Sequence, residues 1–323
     1  MDVVAVQDDR QWDELLAAQP GRSLYHTTEW LRFQAGQFGY ELHRLAIRDG
    51  SACMGVFPIF VTRRAIFRVA SSPRGVDYLN LGPLVAPELL GAALDGYERW
   101  ARSNRVDLTA IAFMSEIEAE TARQRGYKCQ RHLQALADLS GGEDAVLGHC
   151  TPMCRKAIRK GQRMGVTVAE ADLAPHLDRY IEWSDRVYAK SGTRSPLTRP
   201  VLSEMLGMLG AAGRLLPLMA EADGEVIGMY IVGRFEKTAY SLDIVTDYEK
   251  LHYPVSNVMT WHAMQWCCRH GMDTFDFGGA RMPGIARFKK SFGASIVPYS
   301  NIIKAHSPLA RSAVWFKDTV VRK

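Results

Sequence analysis

Asp276-Phe277-Gly278-Gly279-Ala280-Arg281-Met282-Pro283-Gly284-Ile285-Ala286-Arg287-Phe288-Lys289-Lys290-Ser291-Phe292-Gly293 is the stretch that organises this chain. Its approach, Thr274-Phe275-Asp276-Phe277, has the pattern of a buried strand, and the strand is expected to break at the glycine pair. Adjacent glycines permit positive φ and close approach of another backbone or a ligand. Pro283 closes the loop, after which Ile285, Phe288 and Phe292 fall at helical spacing and predict a short helix with one buried face. Lys289 and Lys290 leave that helix beside the two phenylalanines, and a cation beside a glycine loop suits phosphate or a developing oxyanion. The plainer reading is a strand, a turn and a short helix with solvated lysines.

Upstream, Arg155, Lys156, Arg159, Lys160 and Arg163 occur with no acidic residue among them. At helical spacing 155, 159 and 163 form one row and 156 and 160 the row beside it, a stripe suited to a phosphate backbone or simply to solvent.

The chain has 323 residues, 47% hydrophobic and 10% aromatic, enough for two ordinary cores and not the composition of a disordered protein. Its formal charge of +5 is modest for a nucleic-acid binder, so the clustering of charge matters more than its sum. No basic region precedes an apolar run at the N-terminus and no apolar stretch reaches membrane-spanning length, so a cytoplasmic protein without a membrane span is expected. Six scattered cysteines do not make a disulfide framework. Two groups, His149 with Cys150 and Cys154, and Cys267 with Cys268 and His270, lack the paired spacing of a zinc site, so buried structural thiols and no metal are expected.

The order of elements reads as α/β, or α+β, with mixed sheets flanked by helices. Thr27 or Thr28 caps a helix carrying Trp30, Leu31 and Phe33; strands follow at 43–47 and 53–61 around the turn Asp49-Gly50. A basic connection through Arg63, Arg64, Arg68 and 71–75 leads to a strand at 78–81, a helix at 88–104, a strand at 108–114, a helix ending near Gly126 and a strand at 132–138. The second half repeats this grammar. A long helix at 143–164 precedes a strand at 166–169, helices at 173–189 and 200–212, a hairpin of 216–221 and 226–233 around Asp223-Gly224, a strand at 238–244 and a helix at 255–270. The two hairpins occupy equivalent places in two similar orders, as in a duplicated domain. Ser307 to Lys323 has the pattern of an amphipathic helix.

The string Asp276-Phe277-Gly278-Gly279 followed by Phe288-Lys289-Lys290-Ser291-Phe292-Gly293 resembles the C-terminal signature of the FemABX family, aminoacyl-tRNA-dependent peptidyl transferases built from two GNAT-like acyltransferase domains. Cys154 to Lys160 leading into Gly165-Val166-Thr167-Val168 is similar to the basic helix that opens the family's second domain, and Tyr25-His26-Thr27-Thr28-Glu29-Trp30 to its first-domain motif. The resemblance implies two tandem GNAT-like domains, 1–143 with a returning helix at 305–323, and 144–304. It implies transfer of an amino acid from aminoacyl-tRNA to an amine of a peptide, a peptidoglycan precursor or another small molecule. The amine is the nucleophile, so no Ser-His-Asp or Cys-His set is required and no bound cofactor is expected.

By the same resemblance Lys289, located by Phe288, stabilises the oxyanion or the leaving tRNA 3′ end. Arg155, Lys156, Arg159, Lys160 and Arg163 bind tRNA, and Arg194, Arg199, Tyr253, Gly278 and Gly279 contact substrate. His252 and His262 are general-base candidates by residue type, with structural roles as the alternative. Gln34 stands where cell-wall members place a lysine, and Phe113-Met114-Ser115-Glu116 where they place an aspartate, which points away from a nucleotide-linked precursor. The alternatives are an acyl-coenzyme A-dependent N-acyltransferase, against which the absence of a convincing Q/R-x-x-G-x-G/A pattern counts, and a non-catalytic protein binding its ligand in an interdomain cleft. A monomer is expected.

Overall fold

The computed structural model describes residues 1–72, 80–189, 192 and 194–312. The chain divides into two compact units, Met1–His132 with Pro298–Lys323, and Leu133–Val297. The divisions fall inside two long strands rather than near 143 and 304, because each strand begins in one unit and ends in the other.

In the first unit the elements are β1 (Asp2–Ala5), α1 (Asp9–Ala17), α2 (Thr28–Phe38), β2 (Glu41–Asp49), β3 (Ala52–Arg64), β4 (Phe67–Ser71), β5 (Leu84–Val85), α3 (Leu90–Ser103), β6 (Leu108–Ala112) and α4 (Ala119–Arg123). β1 to β4 pair antiparallel in sequence and β4 runs parallel to β6. The core joins Leu45, Ile47 and Phe57 of the sheet to Leu94 and Tyr97 of α3. Thr27 is the N-cap of α2, its hydroxyl accepting from the N–H of Trp30, and Gln34 is fully buried. Of the strand expected at 78–81 only Asn80 and Leu81 lie within the described residues, and neither is in a strand.

The second unit runs β7 (Lys128–Asp138), α5 (Gly142–His149), α6 (Pro152–Arg163), β8 (Thr167–Glu170), α7 (Leu177–Ala189), α8 (Arg199–Glu204), β9 (Leu215–Ala222), β10 (Glu225–Phe235), β11 (Thr238–Thr246), α9 (Val255–Arg269), β12 (Thr274–Gly279), α10 (Pro283–Ser291) and β13 (Ser295–Ala305). β13 finishes in the first unit, where Asn301 to Ala305 pair antiparallel with β6. The sheet order here is β7-β12-β11-β10-β9-β8, antiparallel except for β11 and β12. β13 was not expected, and β12 continues through the glycine pair instead of stopping at it.

The single helix expected at 143–164 is two. Thr151 caps α6 through its hydroxyl and Pro152 takes the first helical position, where a missing N–H costs nothing; the preceding Cys150 is extended. The helix expected at 200–212 begins as α8 and continues as a π-helical turn from Met205 to Leu209. Of the helix expected at 307–323, residues 308–312 are helical and the remainder lies outside the described residues.

α6 packs on α9 through Gly161. A Cβ there would stand 2.4 Å from Val258 Cγ2 and 3.2 Å from Pro254 Cγ. Alanine gains about 1 kcal/mol of helix propensity over glycine, but overpacking of this kind costs about 1–3 kcal/mol. Gly161→Ala is therefore expected to lower the urea midpoint. A variant as stable as the parent would show that the two helices can separate freely.

Candidate functional site

The site is built where two strands part. β11 and β12 pair parallel only from Thr238↔Thr274 to Tyr240↔Asp276, and beyond that point both continue unpaired with each other. Each carries an irregularity next to the opening. In β11, Leu242 is an extra residue between the pairs Ile231↔Asp243 and Val232↔Ser241. In β12 the register against β7 shifts between Asp276 and Gly279. Bulges re-aim side chains and end pairing, which is what an opening in a sheet requires.

The β12 irregularity depends on Gly278, whose φ is +70°, a conformation that costs other residues more. Its N–H donates to Asp276 Oδ1 at 2.7 Å. Burial pushes the Asp276 carboxyl up to about 6, against the opposing effects of that N–H and of the Lys289 charge. The carbonyls of Phe277 and Gly279 are taken by Lys289, whose ammonium donates to Phe277 O and, at 2.7 Å, to Gly279 O. Lys289 therefore lies over the broken strand end and holds the glycine turn in shape. Lys290, one residue on, points to the other side and lines a cleft.

That cleft, about 860 Å³, is walled by the first turn of α6, by Asn257 of α9 and by α10, with Met153, Cys154, Ala157, Phe288 and Ser291 among its lining residues. Phe288 and Phe292 meet edge to face with centroids 5.2 Å apart; Phe292 is buried in the core while Phe288 reaches the cleft. Ile285, expected to be buried beside them, is 44% exposed, because α10 rests on the unit only by its later turns.

The basic stripe splits by role. Arg155 turns back to the end of α5, where its guanidinium donates to Cys150 O at 2.5 Å and Gly148 O at 3.2 Å, satisfying carbonyls that a helix end leaves open. Lys160 donates to His252 O at 3.1 Å. Lys156, Arg159 and Arg163 remain together with Gln162 around an exposed groove of about 720 Å³. The expected row of 155, 159 and 163 is thus replaced by 156, 159 and 163, since a guanidinium has a stronger local use at position 155.

The other expected substrate contacts are not gathered at the cleft. Arg199 starts α8 and pairs with the exposed Asp178. Arg194 is exposed in the connection before α8. The Tyr253 hydroxyl donates to Asp223 at the tip of the β9–β10 hairpin, and its ring lies against His252 with centroids 4.2 Å apart. His262 lies within α9, its basicity lowered chiefly by burial.

One group went unread in the sequence. Asp243, directly after the β11 bulge, accepts from the Tyr180 hydroxyl at 2.8 Å, and burial raises its carboxyl to about 6 despite that bond. Its partner Ile231 and Tyr180 place it on the α7 face of the sheet, opposite the face where Tyr230 and Val232 meet Val255 and Met259 of α9. It has no spacing signal, because its partner Tyr180 is 63 residues away. Cys150 and Cys154, expected as buried structural thiols, lie buried at the α5–α6 junction.

Residues 151–290 match the model of the acetyltransferase (GNAT) domain, so the second unit defines an acyltransferase of the GNAT type. The chain as a whole has the tandem GNAT fold. It is similar to FemX, with a TM-score of 0.74 and 14% identity over 93% of this chain and 97% of that one. It is also similar to the tandem GNAT protein from the clavulanic acid biosynthesis pathway, TM-score 0.60, 12% identity, covering 95% and 99% of the two chains. The L-PGS structure from Bacillus licheniformis gives a TM-score of 0.60 and 13% identity with 98% of each chain covered. At these identities the likeness is one of fold. No curated protein matches the sequence.

Proposed function

We propose that the protein transfers an aminoacyl group from aminoacyl-tRNA to the amine of a small molecule or peptide, forming an amide. The observation that carries this reading is that one helix serves two surfaces. α6 lends Met153, Cys154 and Ala157 to the cleft and Lys156, Arg159 and Arg163 to the basic groove. A polyanion lying along that helix would be held by its phosphates with its end directed to the cleft beside Phe288. The tandem GNAT fold shared with FemX and the FemABX-like motifs support the same reading, and use of aminoacyl-tRNA would place the reaction in the cytoplasm.

In the proposed reaction the amine attacks the ester carbonyl, the 3′ oxygen of the tRNA leaves, and the amine proton passes to a base. Lys289 would stabilise the departing oxygen from its place at the strand end, and Asp243 would take the proton from an amine that enters the opening between β11 and β12 on the α7 face, opposite the donor's cleft. Among the described residues no helix is long and apolar enough to cross a membrane, so the chemistry need not be sought within a bilayer. The second reading, an acyl-coenzyme A donor, draws on the match to a GNAT acetyltransferase domain. Offering labelled aminoacyl-tRNA and labelled acyl-coenzyme A side by side with host extract as acceptor source separates the two. Label transferred only from the thioester would overturn the tRNA reading.

The groove gives a second check. Replacing Lys156, Arg159 and Arg163 with glutamine removes up to three phosphate contacts and is expected to flatten the slope of log K against log salt for tRNA by about 2. Arg155→Gln should instead act mainly through stability. An unchanged slope in the triple variant would remove the groove from RNA binding.

A further inference from the structure

Arg63, Arg64 and Arg68 have no part in amide formation, and they stand in a stretch with no acidic residue from Gly50 to Val76. The fold places them on the hairpin of β3 and β4, where Arg63 pairs with Arg68 and Arg64 with Phe67 around the turn Ala65-Ile66. β2 leaves β3 at Glu41↔Val61 and β6 leaves β4 at Val69↔Leu108, so the turn stands beyond both neighbouring strands. Glycine and asparagine are the usual residues of such a turn, yet Ala65 takes a φ of +53° and Ile66 is 77% exposed. A costly backbone conformation and an unburied β-branched side chain together point to a use outside the fold. Successive residues of a strand face opposite ways, so the exposed Arg63 and Arg64 flank the turn on its two faces. Arg68 is already neutralised by Glu41, which accepts from its Nη2 at 2.7 and 3.0 Å. Arg63 and Arg64 have no hydrogen-bond or ion-pair partner among the described residues. Just before β2, Phe38 stacks on the half-buried Tyr40 with centroids 5.7 Å apart, an aromatic pair suited to a boundary between water and lipid.

We propose that this hairpin tip docks the first unit on an anionic phospholipid bilayer, with Ile66 entering the boundary between headgroups and acyl chains and Arg63 and Arg64 lying among lipid phosphates. The chemistry favours a bilayer over RNA or an acidic metabolite. A nucleic-acid backbone gains nothing from an apolar tip. The groove at the base of the hairpin, about 350 Å³ and lined by Arg63 and Arg68, also contains the Glu41 carboxylate, which repels a small anion. Each arginine near an anionic surface strengthens binding about fivefold, equivalent to about 1 kcal/mol, and the attraction falls as salt rises. One apolar side chain and two cations make a weak, reversible attachment, so the protein exchanges between solution and membrane. The docking does not depend on which acyl donor the second unit uses.

The test is cosedimentation of the folded full-length protein with vesicles of phosphatidylcholine and phosphatidylglycerol, and with vesicles of phosphatidylcholine alone. The expected result is binding to the anionic vesicles only, weakened by salt. Arg63→Gln and Arg64→Gln should each lower the partition coefficient about fivefold, and Ile66→Ser by about as much. Melts should not change, because all three side chains are exposed. Ile66→Trp should bind at least as well as the parent, with indole emission that shifts to the blue when anionic vesicles are added. No binding to the anionic vesicles, equal binding by parent and hairpin variants, or loss of binding only in the Lys156, Arg159 and Arg163 triple variant would overturn the proposal. So would hairpin variants that lose tRNA affinity and keep their hold on the vesicles.

Discussion

Lys289→Met is expected to reduce single-turnover transfer by about a hundredfold or more and at the same time to lower stability by about 2–4 kcal/mol. The sequence alone predicts the first effect without the second. The structure adds the second, because the ammonium donates to two carbonyls of β12 and lies near the buried Asp276 carboxyl. Removing it leaves both carbonyls without that donor, at about 1–3 kcal/mol for each buried group left unpaired. Rates must therefore be compared at a temperature and urea concentration where both proteins are folded. Lys290→Met, whose side chain faces the cleft, should leave the melt unchanged and cost much less in rate. A Lys289→Met protein that melts early yet transfers at the parental rate would reduce this lysine to a structural clasp.

Asp243→Asn is expected to cost about a hundredfold or more in turnover while raising stability at neutral pH. Burial lifts this carboxyl from 3.8 to about 6, so its ionised form is disfavoured in the folded protein. Its contribution is neutral below about pH 4, turns unfavourable as pH rises, and reaches a penalty of about 3 kcal/mol above pH 6. Asparagine keeps an acceptor for the Tyr180 hydroxyl and carries no charge. The variant should melt higher than the parent at pH 7.5 and equally at pH 3.5. If Asp243 takes the amine proton, the parental rate rises with pH through about 6 and the variant lacks that limb. A variant with the parental pH–rate profile would return Asp243 to a purely structural role, whatever its melt.

Much of the fold was legible because its signals are local. The hairpins at Asp49-Gly50 and Asp223-Gly224, the cap at Thr27 and the apolar period of α9 each lie within a few residues. Thr151-Pro152 was also a local signal, for a helix start, but a continuous helical period across it suggested one helix where there are two. β13 lacked a clear pattern because most of its residues are half-buried and the buried ones, Tyr299, Ser300 and Ile302, do not alternate.

The sequence by itself determined that the chain alternates strands and helices in two similar runs, that a strand meets a glycine pair near residue 278, and that cations gather on one helix. Tertiary structure alone decided what those groups do. Lys289 is held by carbonyls that become available only because β12 shifts register, and Arg155 is drawn from the basic row by the open end of α5. Asp243 is hydrogen-bonded by a tyrosine 63 residues away, and Cys154 by an asparagine 103 residues away. Ionisation and hydrogen bonding depend on burial and on partners within a few ångströms, and no spacing along the chain encodes either.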